Sequence, residues 1–167
     1  KGWQDKYGNG KWNNDINAYI EEFNDKSGDT KEKQIYFNGD LVREVLFFED
    51  RQIKEERNYI DNKKTGTWMI YVRDSNSNRY VKQESKYSQD RLIQRIKFYP
   101  NGNYKELASF DIDNISSVIK YYPNGQKQGE GKLLNKNGAE FWYDNWIWYD
   151  LDGNIVETKS FNEDLKN

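Results

Sequence analysis

Eleven residues, Glu140 to Asp150 (EFWYDNWIWYD), carry the densest set of side chains in the chain that could do chemistry. Trp142, Trp146 and Trp148 share sequence parity with Glu140, Asp144 and Asp150, so an unbroken strand would turn all six to one side. Indole faces flanked by carboxylates suit two kinds of ligand. A sugar ring stacks on Trp while its hydroxyls donate to Asp or Glu, and a protein partner uses the same rings as a buried anchor. A structural use competes with both, because Trp is highly buried on average and could cover the end of a sheet poor in aliphatic side chains. The candidate binding set is therefore Trp142, Asp144, Trp146, Trp148 and Asp150, open to a glycan or a protein partner.

Other chemistries are limited by absent residue types. The chain has no His and no Cys, which rules out a Ser-His or Cys-His nucleophile pair and an imidazole or thiolate zinc site. Carboxylate chemistry remains. A glycosidase needs two carboxyl groups about 5–9 Å apart with one pKa raised, but 28 acidic residues supply many pairs by chance, most of them neighbours of Lys or Arg across strands. Asp111-Ile112-Asp113-Asn114 and Asp150-Leu151-Asp152-Gly153-Asn154 place oxygens at alternate positions, as a calcium loop does. Neither completes the twelve-residue loop, and Asp and Asn are good turn residues in their own right. No catalytic residue, metal site or cofactor is expected.

Charge and composition narrow the class further. With 26 basic against 28 acidic residues the chain lacks the basic footprint of a nucleic-acid binder. No apolar run approaches the roughly 18 residues of a membrane span. The chain begins at Lys1 rather than Met, so an exported or cell-envelope location and a cytoplasmic one both stay open. Charged residues make up 32% of the chain, yet 27 aromatic residues argue for a packed fold, since disordered chains are depleted in large rings. Thirteen Ile, thirteen Tyr and twenty Asn, against three Ala, favour strands and turns.

The elements that must position these residues repeat. IKFYPNGNYKELASF from Ile96 and IKYYPNGQKQGEGKL from Ile119 match at a spacing of 23 residues, and both prolines lie in their Pro-Asn-Gly turns. Looser copies run from Tyr36 to Phe48, from Thr65 to Tyr87 and from Trp148 to Phe161, the last with a turn read as one residue longer. Alternating runs near 31–37, 41–48, 53–60, 67–73, 79–87, 92–99, 104–110, 115–122, 127–134, 139–149 and 154–161 predict eleven strands in an antiparallel meander. Internal repetition of this kind points to units that complete one another's cores. One frame of the alternation, Leu92, Ile96, Phe98, Ile115, Ile119 and Tyr121, is greasy and interrupted only by Gln94 and Ser117. That frame is expected to be buried, and the frame of Arg95, Val118 and Lys120 to be wet. Ile16, Tyr19, Ile20 and Phe23 fall on a helical face behind Asn14, which favours a short helix over 15–23, while Tyr19 and the polar turn Asn24–Asp29 also fit the hairpin rhythm that follows.

The recurring unit, an aromatic pair followed by x-Asn-Gly or Asp-Gly and an alternating strand ending in an aromatic or Leu, resembles the variant MORN repeat of bacterial YwqK-type antitoxin-like proteins. Tyr99–Gly102, Tyr122–Gly125 and Trp148–Gly153 carry the likeness, and Gly66-Thr67-Trp68-Met69-Ile70-Tyr71 matches the repeat's Gly-x-Trp-x-x-Tyr opening. The resemblance covers roughly residues 31–161. It implies a bacterial source, an elongated, curved single sheet of successive hairpins, and a binding or neutralising role. The expectation is an all-β protein with a cap over 1–30, hairpin repeats over 31–161 and a tail over 162–167. It would act without catalysis by presenting a sheet face to a protein partner, a toxin among the candidates. The alternative is a glycan-binding module built on residues 140–150.

Overall fold

A computed structural model describes residues 18–111 and 115–161. They form twelve strands in one antiparallel meander whose strand order follows chain order. The strands are β1 (Ala18–Asn24), β2 (Thr30–Phe37), β3 (Asp40–Phe47), β4 (Ile53–Ile60), β5 (Lys63–Arg73), β6 (Arg79–Ser88), β7 (Arg91–Phe98), β8 (Tyr104–Phe110), β9 (Ile115–Tyr121), β10 (Lys127–Lys136), β11 (Ala139–Tyr149) and β12 (Ile155–Phe161). Two compact units divide inside β6: one holds the described residues up to Arg79 with Lys86–Arg91, the other Tyr80–Ser85 with those from Leu92.

All eleven expected strands form, and β1 is a twelfth. The helix predicted over 15–23 is not found among the described residues, which enter the sheet instead. β1 pairs with β2 from Ala18↔Phe37 to Asn24↔Thr30, and Tyr19 stacks on Tyr36 with centroids 4.5 Å apart. A helix of two to three turns is below the length at which helices persist alone, whereas the strand gains a full ladder. The sheet thus starts inside the segment assigned to a cap; residues 1–17, including Ile16, lie outside the described residues, as does the tail over 162–167.

At one end of the sheet a single turn recurs six times. In each, the first residue's N–H donates to the carbonyl four positions on and its own carbonyl accepts from the residue three on; the first residues are Asp25, Phe48, Asp74, Tyr99, Tyr122 and Asp150. This is the three-residue hairpin loop that requires a left-handed residue at its end. Gly28, Gly102, Gly125 and Gly153 fill that place, and Arg51 (φ 66°) and Ser77 (φ 64°) adopt it despite their side chains. The last turn, expected to be one residue longer, has the same length as the others: Asp150, not Tyr149, is its first residue.

Two side-chain solutions stabilise this one backbone. Where Asp comes first, its carboxylate accepts N–H groups two and four residues on, as Asp25, Asp74 and Asp150 do. Otherwise the third residue, Asp50, Asn101 or Asn124, accepts the N–H two positions on. Immediately after the turn the ladder skips one residue, at Lys31, Lys54, Lys105, Gln128 and Val156 in turn. At the other end four of the links are two-residue turns with both residues left-handed: Asn38-Gly39, Asp61-Asn62, Gln89-Asp90 and Asn137-Gly138.

In the unit that starts at Leu92, facing positions run in register across the strands. One face carries Arg95 and Lys97 (β7), Glu106, Ala108 and Phe110 (β8), Ser116, Val118 and Lys120 (β9), and Gly129, Gly131 and Leu133 (β10), continuing into β11 and β12. The core lies on this face: Ala108 and Val118 are 1% exposed, Leu133 5% and Trp146 0%. Arg95 of β7 reaches Glu140 of β11 at 2.8 Å, although four strand spacings on a flat sheet would be about 19 Å. The sheet of this unit therefore coils around that face, and the small Ala108, Val118 and Gly131 occupy the inside of the bend. The sequence expectation is reversed here. The frame with Arg95 and Val118 holds the buried core, although Arg95, Lys97 and Lys120 in it are half-buried, while Ile96, Phe98, Ile119 and Tyr121 of the greasy frame also stay half-buried. Coiling decides burial here, because at the centre of the bend Ala108, Val118 and Gly131 leave room only for the one ring, Trp146, that lies over them.

Candidate functional site

β11 brings Trp142, Trp146 and Trp148 together on the inner face. Their ring centroids are 5.0 Å apart for Trp142–Trp146 and Trp142–Trp148, and 5.7 Å for Trp146–Trp148. Phe161 of β12 closes the group edge-on against Trp142. Trp146 lies flat on the backbone of β10: a Cβ added to Gly131 would land 2.5 Å from its Cγ and 2.6 Å from its Cε2. Its indole Nε1 donates to the Lys132 carbonyl at 2.7 Å, satisfying the ring's one polar atom inside the core. The Lys120 amino group sits 5.4 Å from the Trp146 centroid and 5.6 Å from that of Trp142. Trp146 offers no face to a ligand, and only Trp142, 39% exposed, keeps substantial accessible surface.

The carboxylates expected beside these rings go elsewhere. Between Glu130↔Ile147 and Lys132↔Tyr143 the β11 strand carries extra residues, and Asp144 there adopts φ 59°. That bulge rotates the Asp144 carboxylate to Lys132 at 2.8 Å, and Lys132 alternates with Gly131 and Leu133, so it belongs to the opposite face. Asp150 leaves the strand altogether, and the Asn154 side-chain amide, with the turn N–H groups of Asn154 and Asp152 that it accepts, holds its pKa low. Of the five candidate residues, the three tryptophans converge and the two aspartates do not. Parity counting fails at a bulge.

The bulge also exposes a second copy of the Gly-x-Trp-x-x-Tyr pattern, spelled Asp144-Asn145-Trp146-Ile147-Trp148-Tyr149. Gly66 (φ 60°) and Asp144 both take left-handed conformation two residues before a Trp. Trp68 Nε1 donates to the Asn58 carbonyl at 2.9 Å, as Trp146 does to Lys132. Trp68 is flanked by Tyr59 and Tyr87, with Lys64 above it. The two glycines in Gly129-Glu130-Gly131 were the available sequence signal, since each seats an indole of the next strand.

Each unit also holds a half-buried arginine clamped by two carboxylates. Arg95 binds Glu106 and Glu140 at 2.8 Å each, and Lys97 adds 2.9 Å to Glu106. Burial raises the Glu106 pKa, but Lys97 and Arg95 more than offset it, so the net shift is downward. In the other unit Arg57 bridges Glu44 (2.5 Å) and Glu55 (2.8 Å), and Gln34 links Glu32 with Glu44. Burial pushes the Glu32 pKa up, with Glu44 nearby adding to the rise. Glu106 and Glu140 are a facing pair, yet Lys97 and the guanidinium between them hold the Glu106 pKa down, the wrong direction for a general acid.

Opposite the sealed core, the outer face of the same unit holds an aromatic row, Phe98, Tyr104 and Tyr121, with neighbouring centroids 5.6 and 6.2 Å apart. Tyr104 is 48% exposed. Beside it a shallow hollow of about 440 Å³ is lined by Gln94, Leu107, Ser109, Ser117, Ile119 and Lys132 among others. Gln94, Ser109 and Ser117 stand side by side on β7, β8 and β9. Among the described residues none of these three side chains makes a hydrogen bond to protein. The two polar positions that interrupt the greasy frame in the sequence are thus the floor of a dent, made because serine is short.

No protein family profile matches the chain, and no curated protein matches it. Among solved structures, a GtfA/B complex bound to UDP and GlcNAc aligns at 10% identity and TM-score 0.24, over 80% of this chain and 23% of that one. A protein of unknown function from Bacteroides fragilis aligns at 9% identity and TM-score 0.19, over 89% and 94%. Likenesses this slight carry no argument about function.

Proposed function

We propose that this chain is a non-enzymatic β-repeat binding protein that presents the outer face of the unit beyond Leu92 to a protein partner. The carrying observation is the inverted burial: the buried core of Ala108, Ser116 and Val118 lies on the ion-bearing row, and the greasier row, Ile96, Phe98, Ile119 and Tyr121, is left half-accessible around a polar dent. Surfaces that combine aromatic rings, aliphatic side chains and unmatched polar groups suit protein recognition. The likeness of the repeat to variant MORN units favours an antitoxin-like role, with a toxin that this chain neutralises as the partner. The site residues under this reading are Gln94, Tyr104, Ser109, Ser117 and Tyr121, in place of the strand 140–150.

The test is affinity capture from the source organism with the wild-type chain and with Ser109→Arg/Ser117→Arg, which fills the dent. A stoichiometric protein retained by the wild type and lost by the filled variant, at unchanged circular dichroism, is the expected result. Recovery of polysaccharide alone, or equal capture by both baits, overturns it. A glycan-binding reading rests on Trp142 alone and would need Trp142→Ala to abolish polysaccharide retention.

A further inference from the structure

β12 is the last strand of the described sheet and has one neighbour, β11. Six of its seven residues are exposed. Ile155 and Val156 each keep 62% of their surface accessible, and Leu151 in the adjoining turn keeps 54%. At the skipped position after the turn, Lys31, Lys54 and Lys105 stand in three other hairpins where β12 has Val156. Those three lysines lie in strands paired on both sides, whereas on an edge strand such as β12 a lysine at this place would resist strand addition and valine does not.

We infer that β12 pairs antiparallel with β12 of a second copy of this chain, in the register centred on Thr158. The charges select this register. Glu157 and Lys159 flank Thr158 symmetrically, so each Glu157 lies opposite Lys159 of the second copy, twice over. Pairing centred on Glu157 opposes two carboxylates, and pairing centred on Lys159 opposes two ammonium groups, both destabilising. A two-fold arrangement is self-complementary by construction. The charges that commonly protect an edge here leave one register open. The association uses a different surface from the proposed partner face and stands or falls separately from it.

Sedimentation velocity of the full chain from about 10 μM to 1 mM tests this in the range expected of a small, transient interface. The wild type should shift from monomer to dimer mass as concentration rises. Lys159→Glu should weaken the dimer roughly tenfold by turning both attractive pairs repulsive, and Glu157→Lys with Lys159→Glu should restore it. Val156→Lys, which reinstates the lysine of the other hairpins, should weaken it independently. Circular dichroism and thermal midpoints check that each variant is folded. A wild type that stays monomeric throughout, including one that binds only a foreign strand, overturns the inference. So does a Lys159→Glu variant that dimerises as well as wild type, or a double variant that is not rescued.

Discussion

The hydroxyl of Tyr99 donates to the backbone carbonyl of Tyr121 at 2.8 Å, and Tyr122 makes the same bond to Tyr149 at 2.8 Å. The first residue of one turn thereby grips the strand end that precedes the next turn. Asn101 and Asn103 reinforce the first of these links by donating to the Pro123 carbonyl, each at 2.8 Å. Removing one such bond leaves a half-buried carbonyl with one partner fewer. Tyr99→Phe and Tyr122→Phe should each lower unfolding free energy by about 1 kcal/mol, read from urea midpoints at unchanged slope.

Gly131→Ala is expected to be far more damaging than its size suggests. The added methyl would press on the Trp146 ring, which is pinned by its bond to Lys132 and by the rings around it. A loss of about 1–3 kcal/mol is the usual range for forced overpacking, accompanied by a changed tryptophan emission spectrum. Gly129→Ala meets its nearest atoms at 3.1 Å and should be milder.

Two turn positions are occupied against backbone preference. Ser77 holds φ 64° where four equivalent turns have glycine, and its carbonyl, not its side chain, binds Arg73. Ser77→Gly should therefore raise stability by about 1 kcal/mol, and Gly102→Ala should lower it comparably. Thermal melts of both variants decide the sign.

Acid should unfold the protein partly through Glu106. Its folded pKa is depressed, so the unfolded state binds protons more readily as pH falls. The stability it contributes is present above the unfolded value, roughly pH 4.3, and is lost as pH drops through the lower folded value. Glu106→Gln should destabilise at neutral pH and flatten the acid limb of the stability curve. Glu32 has the opposite sign, because burial raises its pKa. Its ionisation opposes folding at neutral pH and the penalty lifts on acidification, so Glu32→Gln should narrow the difference in stability between pH 7 and pH 5.

Strands and turns were legible in the sequence because their determinants are local: alternation writes the strand, and Asn-Gly or Asp-x-x-Gly writes the turn. The turns at 49–52 and 74–78 were legible as turns as well, but not the left-handed conformation of Arg51 and Ser77, which neither residue advertises. β1 was misread because its apolar spacing fits both periods, and only its partner strand settles which is used. Trp146 was identified as important, but its role depends on Gly131 across the ladder and on the bulge at Asp144, relations that no single strand contains. The inverted burial of the two faces was least accessible of all. It follows from coiling of the sheet, which is a property of five strands acting together.

Ladders that join strands adjacent in sequence keep most contacts within a few tens of residues, and fast folding goes with such local pairing. The clasp between Arg95 and Glu140 spans 45 residues and can close only after β8, β9 and β10 have bent into place. A sheet built of self-sufficient hairpins therefore has a finishing step, and the ion pair would tighten an already assembled unit rather than direct its assembly.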